Sequence, residues 1–581
     1  ETNSSSTTLD EVVVTAQKRE QNLQKTPISI TAVDKQTLQD QGVHDISDVS
    51  TSTPNVEIAP SPGGSTDATV AIRGANMINP AITWEPAVGI YVDGVFVAKN
   101  MGGLFDVDDL DRIEVLRGPQ GTLYGKNTTG GAINLVTRKP ADKTGATARL
   151  TSGNFGYKEI AANADSGKIG ENARFSVAVN KRERDGFYDN LSTAPGAASE
   201  FKQLDSTAAR LAGLFTLSKK LDLEYTFDIS DKDNTPAFGQ YEFPATFSPV
   251  TLPDPQRAKQ GDLDGAKYEK SRSSGHAVTI NYEASQALKI KSISAYRELS
   301  FDDANDYDGT GALGFNTERH IDQDQTSQEF QFLGQAGRVN YVTGLYYFND
   351  HADTTNPFTI PTPAPLEIPH HYGVDSTSYA AFGQADVQLN QAWTVTAGAR
   401  YTTEHKEAFL QAPFAGIDVA PEKSWNNFSP MAALSYAVTS NINTYAKISR
   451  GWKAGGFNAE AGTTADAVKP YDEETLTAYE TGVKSRWLND RIQVNLAVFQ
   501  NNVDDLQVSA WDTSINASRV SNAGKARVTG AELETLFAMT EGLKGLANYG
   551  SLDTEYLDFL DPVSGTQLRD NANFAYSPRH K

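Results

Sequence analysis

From about residue 143 onward the sequence repeats one pattern. Segments of about ten residues alternate apolar and polar side chains, and turns or loops separate them. Asp222 to Ile229 shows it best: Leu223, Tyr225, Phe227 and Ile229 fall on one side, Asp222, Glu224, Thr226 and Asp228 on the other. Phe175, Val177 and Val179 alternate with Arg174, Ser176, Ala178 and Asn180; Val395, Ala397, Ala399 and Tyr401 with Thr394, Thr396, Gly398 and Arg400; Ile492, Val494, Leu496 and Val498 with Gln493, Asn495 and Ala497. A period of two places successive side chains on opposite faces of a strand. Most of this chain is therefore antiparallel sheet with one apolar and one polar face. A soluble sandwich turns the polar faces to outer water; a membrane barrel turns the apolar face to lipid and the polar face to its lumen. Periodicity leaves both open. Loop lengths favour the barrel, because short links such as Ser218–Lys219–Lys220 and Asn390–Gln391 alternate with long ones around 231–270, 302–322, 350–373 and 454–471. Spacing gives roughly eighteen strands by Tyr556, with another starting near Phe574.

Composition is consistent with this. Mean hydropathy is -0.45, and no run approaches the ~18 apolar residues of a spanning helix, which excludes a helical membrane protein but not a barrel. A net charge of -22 argues against a general nucleic-acid binder. The absence of cysteine removes zinc–thiolate sites, disulfides and thiol nucleophiles. Carboxylates are plentiful, but no pair is singled out by its setting, so no catalytic residue is assigned and no cofactor expected. Asp302 to Gly309 looks like a hard-cation ligand list, yet it lacks the EF-hand spacing and terminal Glu and reads as a solvated acidic loop. Pro369-His370-His371, with His351 nearby in sequence, forms no ordered ligand set. Neither is taken as a metal site.

The first 140 residues have another texture. Residues 1–25 read as a flexible amino terminus containing Leu9, Asp10, Glu11, Val12, Val13, Val14, Thr15 and Ala16. This β-branched run is either a domain's first strand or an exposed segment that adds to a partner's sheet edge. Residues 26–140 read as a small α+β domain and 141–581 as the barrel. Ile28, Ile30 and Ala32 alternate as a strand; Asp34 and Asp45 are positioned to cap short helices; Ala68–Gly74 is a strand; and Gly89–Val97 is a hairpin about Asp93-Gly94. Asp109–Pro140 is expected to hold three β-like runs between glycine-rich turns.

In this order the pieces resemble the TonB-dependent outer-membrane receptors of Gram-negative bacteria over essentially the whole chain. LDEVVVTA (9–16) is similar to the family's TonB box. TPISITAV (26–33), IRGAN (72–76), GIYVDGVFV (89–97) and DRIEVLRGPQGTLYGKNTTGGAINLVTRKP (111–140) resemble its plug domain, and YETGVKSRW (479–487) and TGAELET (529–535) its barrel strands. The resemblance implies a transmembrane antiparallel β-barrel of about 22 strands with a plug in its lumen. It implies a monomer in the outer membrane, in contact with lipid and lipopolysaccharide, that binds a scarce nutrient. The nutrient is imported with energy from the TonB–ExbB–ExbD complex, and the protein is not an enzyme. A ferric siderophore is the leading cargo; cobalamin, an oligosaccharide or an aromatic acid are alternatives, as is a passive pore or surface-binding protein. The strand count falls short of the family's, so we expect a chain that stops before the final strands and a sheet with an open edge.

By motif position the resemblance implies a plug–barrel lock of Arg73 and Arg117 with Glu480 and one of Glu532 or Glu534. Strand parity agrees for Glu480: with Tyr479, Val483 and Trp487 toward lipid, Glu480, Lys484 and Arg486 face the lumen, which is also cheaper than a carboxylate in hydrocarbon. The plug apices are expected near Asn76–Glu85 and Ala98–Leu104, with Met77, Trp84, Asn100 and Met101 as candidate ligand contacts.

Overall fold

In this computed structural model the alternating segments form one sheet. The residues described are all but 1–7, 61–63, 65–67, 78, 80, 102–108, 240–258, 308, 310, 312–314, 361–365, 513–516, 541 and 571–573. The sheet has 20 strands, of which Phe358–Ile360, Leu366–Ile368 and Ile417–Val419 are short extensions in the loops. The other seventeen run in chain order from Thr144–Ser152 to Leu543–Phe559, each antiparallel to the next. Seventeen among the described residues agrees with the roughly eighteen read from spacing. Phe574 starts no strand; its ring stacks on Tyr556 at 4.3 Å. Pairing on the outer edge of Leu543–Phe559 comes later, where Gly550 and Leu552 donate to the carbonyls of Lys581 and Arg579 at 3.0 Å each.

Burial decides between sandwich and barrel. Val179, Leu211, Leu345, Tyr379, Tyr401, Phe428, Leu434, Tyr479 and Val498 are exposed all along the sheet. Their inward neighbours, among them Asn180, Gln325, Glu329, Thr402 and Glu480, are buried. An apolar belt of this extent has no place in water. Hydrocarbon outside and a filled lumen inside account for both faces. The strands reach 24 residues in Ala517–Thr540, well beyond the roughly ten needed to cross. The expected loop at 302–322 is mostly strand: Leu288–Asp306 and Asn316–Ala336 pair through it. Its acidic run is strand as far as Asp306, and Asp308 lies outside the described residues. Asp303 is fully buried against Arg319 Nε at 2.9 Å, and Asp302 pairs with His320.

Inside lies the plug. Strands β1 (Val13–Val14) and β2 (Gln21–Asn22) make a small pair of their own. β3 (Ile30–Asp34), β6 (Val88–Val92), β7 (Val95–Val97), β8 (Leu110–Arg117) and β9 (Gly131–Thr137) form a five-stranded sheet in the order β3-β8-β9-β6-β7. β4 (Val56–Pro60) pairs with β5 (Ala68–Ile72). Asp34 caps helix α1 (Lys35–Asp40), accepting from the Thr37 N–H at 2.7 Å. Asp45 caps no α-helix; the segment is a 3₁₀ turn at Asp48–Ser52, and Asp45 accepts locally from Ser47. Asp109–Pro140 has two strands rather than three, because the middle run is spent on the turn from Gly118 to Gly130. One side of the sheet packs Val33, Ile46, Val70, Ile90, Ile113 and Ile133. The other buries Val14, Leu23 and Leu116 together with Phe348 of the barrel wall.

Candidate functional site

The turn that follows β5 carries Arg73 in the left-handed region, at φ 53°, with Gly74 at φ 80°. That conformation costs a non-glycine residue about 1–2 kcal/mol. The guanidinium it presents is fully buried and clamped to the wall. Arg73 Nε and Nη2 donate to Glu532 at 2.8 Å each, and Nη1 lies 2.7 Å from Glu480 Oε2. Its face covers the Phe499 ring at 3.8 Å. Arg117, at the end of β8, lies 3.2 Å from Glu532 and 3.0 Å from Glu534. Ser29 closes the cluster, its hydroxyl donating to Glu532 at 2.7 Å and its N–H to Glu480 at 3.0 Å. Tyr445 of the wall donates to Glu480 at 2.8 Å. Gly118 is required here, since a Cβ would sit 2.8 Å from Arg73 Nη1.

Burial works against the charge of both arginines. For Arg73 the pull of Glu532 and Glu480 more than reverses it, and for Arg117 that of Glu534 and Glu532, so both pKa values lie above the ordinary guanidinium value. Arg73, Arg117 and Glu480 are thus gathered with both Glu532 and Glu534, Glu532 as the buried hub of the cluster and Glu534 at its partly exposed rim. Ser29, Tyr445 and Phe499 escaped sequence reasoning. Phe499 carried a signal, being an aromatic at an inward position of a strand whose inward residues from Gln493 to Asn501 are otherwise polar or small.

Leu9 to Ala16 is stowed against this same plug. Val13 and Val14 pair with Asn22 and Gln21, and Val12 accepts from the Leu23 N–H at 2.9 Å. The Leu9 N–H donates to Asp490 at 2.8 Å, Arg486 donates to the Asp10 carbonyl at 2.5 Å, and Glu11 accepts from Asn22. Thr15 donates to the buried carboxylate of Glu114 through both its N–H, at 2.8 Å, and its hydroxyl, at 3.0 Å. Val14 and Ala16 are buried. Just beyond, Lys18 reaches Glu329 at 2.5 Å and Arg19 pairs with Asp386.

At the apex, Met77, Trp84, Asn100 and Met101 line one cavity together with Ile82 and Lys99. It has about 10 Å³ of room, enough for one water. Among the described residues Trp84 Nε1 and Asn100 Oδ1 meet no hydrogen-bond partner, which leaves a donor and an acceptor at its wall. Residues 102–104 of the second expected apex lie outside the described residues. Above it Phe301, Tyr372, Trp425, Trp452 and Phe457 pack with Ile82 and Met101. The histidines weighed for metal stay apart: His351 pairs with Asp375, His371 with Asp353, and His370 packs on Tyr372. Among the described residues only His405, Glu407 and Glu422 bring three ligand-type side chains together, within 4.8 Å and toward the outside.

Comparison with known proteins covers both parts. Residues 22–132 match the TonB-dependent receptor plug domain, and residues 211–581 match the TonB-dependent receptor-like β-barrel. The pesticin receptor of Yersinia pestis is 26% identical over 575 residues, 96% of this chain and 80% of that protein. The crystal structure of the ferric yersiniabactin uptake receptor FyuA from Yersinia pestis superposes with a TM-score of 0.79 at 21% identity, covering 96% of this chain and 82% of that one. The siderophore receptor PiuA from Acinetobacter baumannii gives 0.77 at 15% identity, covering 100% and 87%.

Proposed function

The chain belongs to the TonB-dependent receptor family of the outer membrane, and on that premise we propose that it imports a ferric siderophore through the gap left when its plug yields. The observation that carries this reading is the clamp: the plug is held in the lumen by buried charges on a wall that could otherwise have packed it with apolar side chains. Charged contacts suit a part that must resist leakage and still let go. Exchanged for water all together they cost little net energy, whereas broken one at a time they leave unpaired charges.

Leu9 to Ala16 is the handle. Its strand is paired and its Thr15 clipped to Glu114, so a partner gains the edge only after the segment comes free. TonB takes that edge and pulls, with ExbB–ExbD supplying the energy. The chain acts as a monomer surrounded by lipid and lipopolysaccharide, and it makes and breaks no covalent bond. Cargo arrives at the apex, where Trp84 Nε1 and Asn100 Oδ1 offer polar contacts beside Met77 and Met101. The iron-complex reading is supported by two of the structures named above, a ferric yersiniabactin uptake receptor and a siderophore receptor. Deleting residues 9–16 tests it: cells should still bind radioiron-loaded siderophore from a panel including ferric yersiniabactin, but not accumulate it. Unchanged accumulation would mean a passive pore.

A further inference from the structure

The plug meets another stretch of the wall through charges that the clamp does not include. Lys406, on the strand Trp393–Ala412, pairs with Glu85 of the plug and also donates to the Gly455 carbonyl at 2.8 Å. On the same strand, Glu404 accepts from Lys126 of the plug at 2.6 Å and lies 3.7 Å from Lys406. Lys99 of the plug lies 3.3 Å from Asp350 of the strand Val339–Thr355. All six side chains are buried. We propose that this network is a second latch between plug and wall, and that its closure is coupled to the apical cavity.

The coupling follows from chain connectivity. Trp84 and Asn100 line the cavity, and the residues bonded to them in the chain are Glu85 and Lys99. Lys99 Nζ also donates to the carbonyl of Ile82 at 2.7 Å, which lines the cavity as well. A molecule that wedges Trp84 and Asn100 aside therefore moves two of the three plug charges, Glu85 and Lys99, off their wall partners. Glu85, Lys406, Glu404 and Lys126 share partners, so none of these four leaves without stranding another; the Lys99–Asp350 pair sits beside them, its charges acting on Glu85 and Lys126. Asn127 of the plug also donates to Glu85, and its own N–H donates to the Trp452 carbonyl at 2.9 Å. Glu85 and Lys126 are positioning residues in this scheme, whereas Lys99 also lines the cavity.

The role of the latch in import rests on the reading above, but its test needs no ligand. Coupling is reciprocal, so breaking the latch must loosen the cavity. The chain has no cysteine, and Met101→Cys places one thiol at the cavity wall. Its labelling by a membrane-impermeant maleimide is measured on cells with the full chain in the outer membrane. Glu85→Gln and Lys406→Met should each raise the rate by about tenfold. Lys406→Arg, which keeps the charge, should leave it near the parent, as should Glu534→Gln at the rim of the clamp. Lys126→Met serves if Lys406→Met fails to assemble. Rates within twofold of the parent in Glu85→Gln and Lys126→Met, or an equal rise in Glu534→Gln, overturn the latch. A rise confined to the latch variants, together with iron uptake that survives deletion of 9–16, would keep the latch and reject TonB-driven import.

Discussion

Glu532→Gln keeps the outline of the side chain and removes its charge. In the clamp this carboxylate accepts from Arg73 twice at 2.8 Å, from Ser29 at 2.7 Å and from Asn55 at 3.2 Å, and it lies 3.2 Å from Arg117. The amide turns one acceptor into a donor, so a guanidinium contact becomes repulsive. Breaking one side of a buried pair costs about 3–5 kcal/mol. Glu480 remains beside Arg73 and Glu534 beside Arg117, which points to the lower end, about 3 kcal/mol. The assay is conductance across a planar bilayer as urea is raised, because a plug that unfolds opens the pore. With a urea dependence of about 1–3 kcal/mol per molar, the opening midpoint should fall by roughly 1–3 M. Glu534→Gln should fall by less than half as much, since among the described residues its carboxylate meets only Arg117 and Thr31. A Glu532→Gln midpoint within about 0.3 M of native, or a larger fall for Glu534→Gln, refutes the assignment of Glu532 as hub.

Gly118→Ala puts a methyl 2.8 Å from Arg73 Nη1 at a φ of +77°, so the same midpoint should drop by the equivalent of at least the ~1–2 kcal/mol of left-handed strain. Thr15→Val keeps the N–H bond to Glu114 and loses the hydroxyl bond at 3.0 Å; at about 1 kcal/mol, limited proteolysis of the amino-terminal segment should quicken about fivefold. Glu85 is buried, which raises its pKa, but Lys406, Lys126 and Lys99 outweigh this and hold it below the ordinary carboxylate value of 4.5. A depressed carboxylate contributes stability that is complete above its unfolded pKa and is lost only as pH falls through the lower folded one. The gap in urea midpoint between native protein and Glu85→Gln should therefore stay constant from pH 8 to about 5; a gap that shrinks from pH 7 downward contradicts the pairing.

What could be read from the sequence is what lipid imposes strand by strand. Tyr479, Val483 and Trp487 are exposed, and Glu480 and Lys484 between them are buried, as parity requires. The partners of those inward charges are another matter. Arg73 and Glu532 lie 459 residues apart, and no spacing rule links them; only the resemblance brought them together. Glu85 and Lys406 had no such help, being one acid in a loop and one base on a strand. The 302–322 segment failed for a third reason, which the structure makes general. Along Asn316–Ala336, Phe330 faces out while Gln325, Ser327, Glu329 and Gln331 face in; farther up, His320 and Asp322 face out and Ile321 faces in. Along Trp393–Ala412, Tyr401 faces out and Glu404 and Lys406 face in, and then Glu407 faces out with Ala408 and Leu410 buried. The hydrophobic phase inverts partway along each strand. Below the inversion the apolar medium is outside, in lipid; above it the outside is water and the apolar side is the cluster around Phe301, Tyr372 and Trp425 that roofs the plug. A pattern sought with one fixed phase averages to nothing where the phase turns over, and an unbroken strand then looks like a polar loop. The level at which inversion occurs on successive strands marks the outer surface of the bilayer. It places the His320 and Glu407 faces outside the membrane, the apical cavity at the foot of the aromatic roof, and the Arg73–Glu532 clamp on the lumen side of the lipid-facing belt.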